Sequence, residues 1–283
     1  GGGGESEDLS ATGSCLILTG SHDRAMVTYL GCASTLSPAA MTPDQRGRLL
    51  GGSHLHLAGF YNCPLVQVQA VQLLAEARAR GQTTSLSTQW DASGEWGHLD
   101  TLYHLLDVIV LNDEEAYAIW NTNHRKRQSS LLSDGKSADS ALDSTANRQE
   151  DERDFSKIAA YFVRQGVGTA VITLGPKGSM ASTIKSCKEV DAEEGEISEI
   201  VQPAAKIKVI DTTGAGDSFT AGFLLAWKRS AGNLPLALKW GNAAGAAAAT
   251  TYGACVPTTV DSFSYLLKSV KSFPHQQSTI VNR

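Results

Sequence analysis

Residues 211–223 read DTTGAGDSFTAGF. The stretch begins with an acid and two threonines, continues with glycines on either side of an alanine, and reaches a second acid, Asp217. Phe219, Phe223 and Trp227 then recur at helical spacing, which predicts a helix that opens at Asp217 with these aromatic residues on its inner face. The sequence therefore places a carboxylate where glycine has exposed the backbone at the start of a helix.

This combination suits the transfer of a negatively charged group. Gly214 and Gly216 have no side chains, so the amides of residues 214–216, including Ala215, can approach an anion closely, and the first turn of a helix adds unsatisfied N–H groups. Such an anion hole would stabilise charge on a phosphoryl group, while Asp217 could accept a proton from an attacking hydroxyl. The alternative is that Asp217 only caps the helix, since Asp is favoured at N-caps.

Strand and helix patterns alternate along most of the chain. Predicted strands lie at 54–60, 83–87, 105–111, 168–174, 179–185, 187–192 and 205–211, and predicted helices at 64–81, 112–120 and 155–166, with further helix from the opening stretch to about residue 270. This alternation predicts an α/β fold with a mainly parallel sheet flanked by helices. Before it, residues 13–31 contain two β-rich runs joined by a polar turn, which predicts a hairpin that protrudes as a small β lid.

The predicted organisation is a disordered start, a lid, a core in two pieces, an insertion and a tail. Residues 121–153 are rich in Ser, Asn, Asp and charges of both signs, and such a segment buries too little apolar surface to offset the entropy of ordering. We interpret it as a disordered surface insertion, with a phosphorylated regulatory loop as the alternative. The boundaries are 1–12 for the start, 13–31 for the lid, 32–120 and 154–270 for the core, and 271–283 for the tail.

Composition narrows the classes of partner and compartment. The 283 residues carry a formal net charge of −5 and a pI of about 5.8, so no overall positive field favours nucleic acid or acidic membranes. The five cysteines are odd in number and form no C-x-x-C pair, which is typical of reduced thiols. No segment has about 18 uninterrupted apolar residues and no signal peptide is visible, so we expect a cytoplasmic protein.

Residues 211–223 resemble the C-terminal signature of the ribokinase-like, or phosphofructokinase B, carbohydrate kinases. Three further stretches occur in the family's order: LNDEEA at 111–116, VITLGPKGS at 171–179 and WGNAAGAAAATTYGA at 240–254. The resemblance covers residues 12–265, apart from the insertion. It implies a ribokinase-like fold and an ATP-dependent kinase that phosphorylates an alcohol group of a sugar or nucleoside.

The resemblance also implies a nucleotide site. Asn112 and Glu115 match the family's N-x-x-E motif, which helps to place Mg²⁺ and the nucleotide phosphates; a carboxylate and an amide at the end of a buried strand can organise a hydrated Mg²⁺. The open alternatives are an ordinary first helical turn at this motif and a simple β-turn in the nucleotide loop. The implied nucleotide positions are Asn112, Glu115, Thr173, Gly175, Gly178 and, beside the adenine or ribose, Asn242.

Two further implications concern a cation and a partner. Relatives often bind a monovalent cation beside the anion hole, largely through backbone oxygens, and some K⁺ site is therefore expected here. A homodimer through the lid is the expected assembly, and Arg24 in the hairpin matches a position of the family's lid. The implied cation positions are Asp211, Thr213, Ala248, Thr251 and Gly253.

The sequence departs from the family at its beginning. The family's first strand with a substrate-binding Asp, and the Gly-Gly segment that grips the sugar, are not recognised before the hairpin. The sequence therefore does not identify which sugar or nucleoside accepts the phosphoryl group. The alternative function is a non-catalytic nucleotide-binding fragment with an incomplete substrate pocket. Asn62 and Asp91 are the polar candidates on the acceptor side, or else they satisfy turns. His54 and His56 could form a metal pair but have no third ligand at suitable spacing.

Overall fold

A computed structural model describes residues 11–19, 24–133, 153–184 and 196–253, together with 264, 267 and 268. The chain divides into two compact units, Gly1–Asp107 and Val108–Arg283. The predicted disordered start, the insertion beyond Ser133, the strand at 187–192 and the tail fall mostly or wholly outside the described residues. In the described ranges, no helix combines the length and the apolar character needed to cross a bilayer.

The first unit contains the predicted hairpin. Strands β1 (Ser14–Thr19) and β2 (Arg24–Tyr29) pair antiparallel and form a two-stranded sheet of their own. Apolar side chains are exposed along it, with Leu16 at 61% and Val27 at 62%. The hairpin is therefore present as predicted, while its action as a lid remains a prediction.

The rest of the first unit is a strand–helix–strand element. Strands β3 (His54–Leu57) and β4 (Thr83–Ser87) are parallel, and helix α2 (Pro64–Ala79) connects them. Helix α1 (Pro43–Leu49) precedes them and begins at Thr42 with a reciprocal capping box. Proline opens α2, where the missing N–H costs no hydrogen bond. Because β3 and β4 are parallel, the chain leaves both strands at the same end of the pair.

The second unit continues the alternation. Strands β5 and β6 are parallel, and β6–β7–β8 are joined antiparallel. In the described residues, one helix follows β5, one precedes β6, and two follow β8. The strands are β5 (Val108–Asn112), β6 (Thr169–Thr173), β7 (Ser179–Ile184) and β8 (Ile197–Gln202), and the helices are α3 (Asp113–Ser133), α4 (Phe155–Arg164), α5 (Ala215–Arg229) and α6 (Leu234–Ala248). The predicted α/β class is confirmed.

Helices α5 and α6 approach each other unusually closely. A Cβ added at Gly222 of α5 would lie 2.8 Å from the Ala244 Cβ, and one at Gly241 of α6 would lie 2.7 Å from the ring of Phe219. Phe219 and Phe223 are buried between this helix pair and strand residues such as Val171. Glycine at positions 222 and 241 is therefore required by the packing of α5 against α6.

Three sequence predictions need correction. Residues 205–211 are not a strand; β8 ends at Gln202 because Pro203 has no N–H for the ladder, and the following Ile207 packs on Ala243 and Ala247 of α6. Helix α3 continues to Ser133, beyond the expected end at residue 120, because a solvated polar segment can still be helical. Helix α5 begins at Ala215, two residues before Asp217.

Helix α3 has a local reason to continue. The rings of Trp120 and His124 stack at 5.3 Å between centroids, four residues apart on the same helical face. Tyr117 lies beside Trp120, and the guanidinium of Arg153 lies 5.1 Å from the Tyr117 ring while it pairs with Glu114. These side-chain contacts therefore stabilise a helix whose continuation beyond residue 120 was not predicted from composition.

Candidate active site

The loop before α5 is held by one carboxylate. Asp211 Oδ1 accepts hydrogen bonds from the Thr213 amide at 2.9 Å and its hydroxyl at 2.7 Å, and Oδ2 accepts from the Gly253 amide at 2.9 Å. The Ile210 amide also donates to the Ala249 carbonyl at the end of α6. Asp211 thus joins the loop that precedes α5 to the chain segment at the C-terminal end of α6.

The glycine turn then starts the helix. Gly214 has φ 74° and ψ 2°, a left-handed conformation that only glycine adopts readily, and it is the N-cap residue of α5 without a side-chain cap. The Ala215 amide donates to the Thr212 carbonyl at 3.2 Å, so it is already engaged in the turn. At Gly216 an added Cβ would have no atom of the described residues within 4 Å, apart from its own turn of the helix. Folding therefore explains Gly214 by its φ angle but leaves Gly216 without a packing reason.

Asp217 is the third residue of α5 and is exposed. Its carboxylate has no hydrogen-bond or ion-pair partner in the part of the chain that the structure describes. The helix dipole and the open amides of the first turn give this position a positive potential. The capping alternative is not supported, because the N-cap position belongs to Gly214 and the carboxylate accepts no amide there.

Four residues, one on each strand of the second unit, form a row across the sheet, and the first two of them are predicted nucleotide positions. Asn112 pairs with Thr173, Thr173 with Ser179, and Ser179 with Gln202. The row lies where the parallel strands β5 and β6 end, the edge at which open α/β sheets bind ligands. The N-x-x-E motif and the nucleotide loop, 61 residues apart at Asn112 and Thr173, are thus brought together.

The N-x-x-E motif also caps helix α3. Asn112 Oδ1 accepts from the Glu115 amide at 2.8 Å, and Glu115 Oε2 accepts from the Asn112 amide at 3.2 Å. This reciprocal pair is a capping box. Glu115 is only 9% exposed, so its carboxylate lies at the edge of the protein interior. Asn112 and Glu115 therefore cap the first turn of α3, as the alternative interpretation of the motif states.

The nucleotide loop is a tight turn between β6 and β7. Gly175 has φ 53° with open space around it, and Gly178 has φ 108°. A Cβ at Gly178 would lie 2.1 Å from the Gln202 carbonyl oxygen, so packing against the end of β8 requires glycine there. Lys177 is exposed, as expected for a solvated side chain. The predicted β-turn alternative describes the local geometry, and contact with a nucleotide remains a prediction.

Asn242 is the buried centre of a hydrogen-bond network. It is 6% exposed; its Oδ1 accepts from the Ser179 hydroxyl at 2.9 Å, and its Nδ2 donates to the Gln202 carbonyl at 2.9 Å and the Pro203 carbonyl at 3.1 Å. Both amide hydrogens are therefore used within the protein. Three residues along α6, Gly245 would place a Cβ 3.0 Å from the Ala215 carbonyl. Helix α6 thus links the nucleotide loop to the glycine turn.

Sequence reasoning missed Ser179 and Gln202. Ser179 is fully buried and Gln202 is 4% exposed, and both meet Asn242, which is 63 and 40 residues distant in sequence. A lone Ser or Gln in a strand carries no signal of such a partner. The only hint was that Ser179 directly follows the Gly178 turn.

The predicted cation positions do lie near one another. Asp211 bonds Gly253, and the Thr251 hydroxyl donates to the Ala248 carbonyl at 3.1 Å, at the end of α6 that the 211–213 loop contacts. In the described ranges, no cluster of three or more His, Cys, Asp or Glu side chains could hold a metal ion. A monovalent cation bound by backbone oxygens at this place therefore remains a prediction.

The acceptor-side candidates and the histidines lie in the first unit. Asp91 Oδ1 accepts from the Ser93 amide and hydroxyl, and Oδ2 accepts from the Trp96 amide at 2.7 Å, so this carboxylate satisfies a turn. Asn62 lies in a short 3₁₀ turn, Phe60–Asn62, after β3. The side chain of the lid residue Arg24 lies outside what the structure describes.

The two histidines belong to a polar ladder on β3 and β4. The Ser85 hydroxyl lies 2.7 Å from His54 Nε2 and 2.7 Å from His56 Nδ1, and His54 Nδ1 lies 2.8 Å from the Thr83 hydroxyl. Burial, together with the neighbouring His54, lowers the pKa of His56 to about 4. Both rings are thus engaged with strand hydroxyls.

Comparison with known proteins identifies the family. A family model described as pfkB family carbohydrate kinase matches residues 5–260. Ribokinase of Staphylococcus aureus (strain COL) is 29% identical over 153 residues, which cover 54% of this chain and 38% of that protein. Fructoselysine 6-kinase of Escherichia coli (strain K12) is 40% identical over 107 residues, which cover 38% of this chain and 35% of that protein. The chain thus spans well under half the length of these relatives.

Solved structures agree on the fold. An Escherichia coli protein assigned as ribokinase II, solved in complex with ATP and Mg²⁺, superposes with a TM-score of 0.63 at 19% identity and covers 92% of this chain and 72% of that one. The ribokinase-like fold expected from the opening stretch is confirmed. Because the family match includes both the N-x-x-E motif and the glycine turn and extends over most of the chain, the protein belongs to the pfkB family of carbohydrate kinases.

Proposed function

We propose that this protein transfers the γ-phosphoryl group of ATP to a hydroxyl of a sugar or nucleoside, with Asp217 as general base. The observation that carries the proposal is the exposed Asp217 carboxylate in the first turn of α5, next to Gly216, whose missing side chain no packing contact explains. An exposed acid without a partner among the described residues, at a positive helix end, is suited to a reaction in which a proton leaves and an anion must be held.

The proposed step balances as follows. Asp217 accepts the proton of the acceptor hydroxyl, the acceptor oxygen forms a bond to the γ-phosphorus, and the bond from that phosphorus to the bridging oxygen breaks, so that ADP leaves with the electron pair. The amides of Gly214 and Gly216 stabilise the phosphoryl oxygens, with Ala215 contributing mainly through the shape of the turn.

Asn112, Glu115 and Thr173 are the residues proposed to hold the nucleotide and Mg²⁺. Their support is a shared position at the ends of β5 and β6 and a donor set of amide and carboxylate oxygens, which Mg²⁺ prefers. A bound Mg²⁺ supplies charge neutralisation at the phosphates. Gly175, Gly178 and Asn242 shape the nucleotide side, and K⁺ is proposed at the loop joined by Asp211 and Gly253.

The acceptor class follows from the family and its members. The relatives named above act on ribose and on fructoselysine by their names, so a polyol with a primary hydroxyl is the proposed acceptor class. The exposed apolar side chains of β1 and β2 support a homodimer through the hairpin, and a cytoplasmic location follows the expectation from composition.

The test is Asp217→Asn in the full chain. ADP release is measured with D-ribose, fructoselysine and adenosine, and ATP affinity is measured by calorimetry. Loss of the base should lower the rate by about 10²- to 10⁴-fold with little change in ATP affinity, because the carboxylate acts on the acceptor in the transition state.

The matched control is Asp44→Asn, which alters another exposed acid in the first turn of a helix, α1. It should leave the rate unchanged. A parent protein that releases ADP with an acceptor and loses nothing on Asp217→Asn would exclude the general-base role, and a parent without ATP binding would exclude the kinase itself.

A further inference from the structure

The first unit contains a cavity between helix α1, helix α2 and the 3₁₀ turn Pro38–Ala40. Its volume is about 410 Å³, and small-molecule sites have volumes of about 300 to 1,000 Å³. All of the residues that line it fall between positions 38 and 76, so the cavity lies within one unit. Its size alone would admit a small metabolite.

Hydrogen bonds hold the walls of the cavity together. On the side of α2, Gln69 Oε1 accepts from the Ala39 amide at 2.7 Å. On the side of α1, Arg46 Nη1 donates to the Pro38 carbonyl at 3.0 Å. Leu73, which is only 3% exposed, lines the cavity from α2. Both helices are therefore fastened to the 3₁₀ turn, and the cavity has a defined shape.

One wall carries two opposite charges side by side. Glu76 Oε2 accepts from Arg46 Nη2 and, at 3.0 Å, from Arg46 Nε, while Arg80 donates to Glu76 Oε1 at 2.9 Å. The side chains of Arg46 and Glu76 are 25% and 27% exposed and line the cavity. Hydrogen bonding from Arg46 lowers the pKa of Glu76 below the ordinary glutamate value. The cavity therefore has a positive and a negative group on the same wall at neutral pH.

These two side chains can make further hydrogen bonds. Arg46 has five N–H groups, of which three are used in bonds to Glu76 and Pro38 among the described residues. In the same ranges Glu76 Oε1 has Arg80 as its donor, and a carboxylate oxygen can accept two bonds. The exposed Gln72 amide also lines the cavity, and it makes no hydrogen bond within the part of the chain that the structure describes. The wall can thus accept both a donor and an acceptor from a ligand.

The arrangement of charge indicates the kind of ligand. A simple anion at Arg46 would also lie beside the Glu76 carboxylate, and a simple cation at Glu76 would lie beside two guanidinium groups. A zwitterion avoids both conflicts, because each of its ends meets the opposite charge. Away from the ion pair the lining is uncharged. It includes Pro38, Met41, Leu73, Gln69 and Gln72.

We propose that this cavity binds a free α-amino acid with an uncharged side chain, whose carboxylate pairs with Arg46 and whose ammonium group pairs with Glu76. The side chain of the ligand then lies against Met41 and Leu73. The inference goes beyond the proposed kinase function and does not rest on it. The alternative is an ion pair that only fastens α1 to α2 beside a solvent-filled cavity.

The first test is calorimetry on the full chain without ATP, with L-leucine, L-methionine and L-glutamine as probes. At least one of them should bind with a Kd below about 1 mM. The carboxylic acid and the amine that correspond to the best probe each keep one of its two charges. Each should bind at least about 10-fold more weakly, because one charged group of the wall is left without its partner. L-Aspartate and L-lysine should also bind more weakly, since the rest of the lining is uncharged.

Two variants test the site itself. Glu76→Gln keeps the size of the side chain and an acceptor for Arg46 but removes the negative charge, so it should weaken binding about 10-fold. Ala39→Phe fills the cavity from an exposed position and should abolish binding while the unfolding temperature stays close to that of the parent. Asp44→Asn is the matched control, because it breaks the exposed ion pair of Asp44 with Arg48 outside the cavity, and it should keep the parent's affinity.

Three results would overturn the inference. They are no binding of any of the three probes, equal affinity for the analogues with a single charge, and binding that survives both Glu76→Gln and Ala39→Phe. Because the measurement needs neither ATP nor an acceptor, a parent protein without kinase activity would overturn the proposed function and leave this result standing.

Discussion

Two polar regions of the second unit differ in what their side chains do. Around Asn242, every amide atom of the side chain is bonded to the buried Ser179 hydroxyl or to the carbonyls of Gln202 and Pro203. At the start of α5, the Asp217 carboxylate is exposed and has no such partner among the described residues. Folding explains the first residue type and leaves the second unexplained. The difference separates a motif residue that the fold itself requires from one for which a chemical role is the proposal.

The glycines of α5 show the same contrast. A Cβ added at Gly222 would lie 2.9 Å from the Trp240 carbonyl oxygen and 2.8 Å from the Ala244 Cβ, whereas one at Gly216, six residues earlier, would meet nothing within 4 Å in the described ranges outside its own turn. A motif match alone would treat both glycines alike. Packing explains Gly222 at the contact between α5 and α6, whereas a role of Gly216 at an anion remains a proposal.

The largest expected effect on stability comes from Asn242→Ala. The change would remove the Asn242 side chain from the buried Ser179 hydroxyl and from the carbonyls of Gln202 and Pro203, which should lower the free energy of unfolding by about 4 kcal/mol. Chemical denaturation monitored by circular dichroism would measure this. Asn233→Ala is the matched control, because Asn233 caps the exposed start of the same helix and its loss should cost only about 1 kcal/mol. Equal effects of the two changes would contradict a buried network.

The histidine ladder predicts how stability depends on pH. Folding lowers the pKa of His56 to about 4, so the proton binds the unfolded chain more tightly. The stability that comes from the neutral ring is therefore complete above the ordinary histidine pKa of about 6.5 and is lost as pH falls towards 4, by at most about 3 kcal/mol. Unfolding midpoints between pH 7 and pH 4 would measure the loss.

The assignment to His56 can be checked by substitution. His56→Gln should flatten this acid dependence, whereas His104→Gln, at an exposed histidine, should leave it as in the parent. A pH profile that is the same in both variants would show that another group controls acid stability.

The accuracy of the sequence predictions follows the range of the interactions. The alternation in β3, α2 and β4 was predictable because each element's pattern is local. The strand proposed at 205–211 was wrong because Ile207 and its neighbours alternate as in a strand yet pack on α6, a contact that lies about 40 positions away in sequence. For the same reason Ser179 and Gln202 gave no signal, while Gly214, Gly216 and Asp217 did, since two glycines followed at once by an acid form a local sequence pattern.

The same substitution at two glycines of α5 should have opposite effects. Gly222→Ala forces a Cβ against backbone and should destabilise the fold by about 2 kcal/mol. Gly216→Ala meets no atom of the described residues outside its own helical turn and should leave stability unchanged or raise it by about 0.5 kcal/mol through the unfolded state. If the space serves an anion, Gly216→Ala should nevertheless weaken ATP binding, measured by calorimetry. Normal ATP affinity in this variant would remove the reason for glycine at position 216.

The smallest expected effect on stability concerns the N-x-x-E motif, for which both a structural role and a chemical role are argued. Asn112 and Glu115 form a satisfied capping box, yet they are also the proposed Mg²⁺ positions. Glu115→Gln keeps an acceptor for the Asn112 amide, as Gln does in capping boxes, and removes only the charge. Stability should therefore change by less than about 0.5 kcal/mol, which thermal unfolding would measure.

If the carboxylate also attracts the cation, the Mg²⁺ concentration needed for half-maximal ATP binding should rise several-fold, because a charged ligand is lost. Glu114→Gln supplies the control, since this exposed neighbour pairs with Arg153 and lies outside the box. An unchanged Mg²⁺ requirement in Glu115→Gln would assign the whole motif to helix capping and leave the metal to other residues, whereas a large loss of stability would show that the charge itself holds the start of α3.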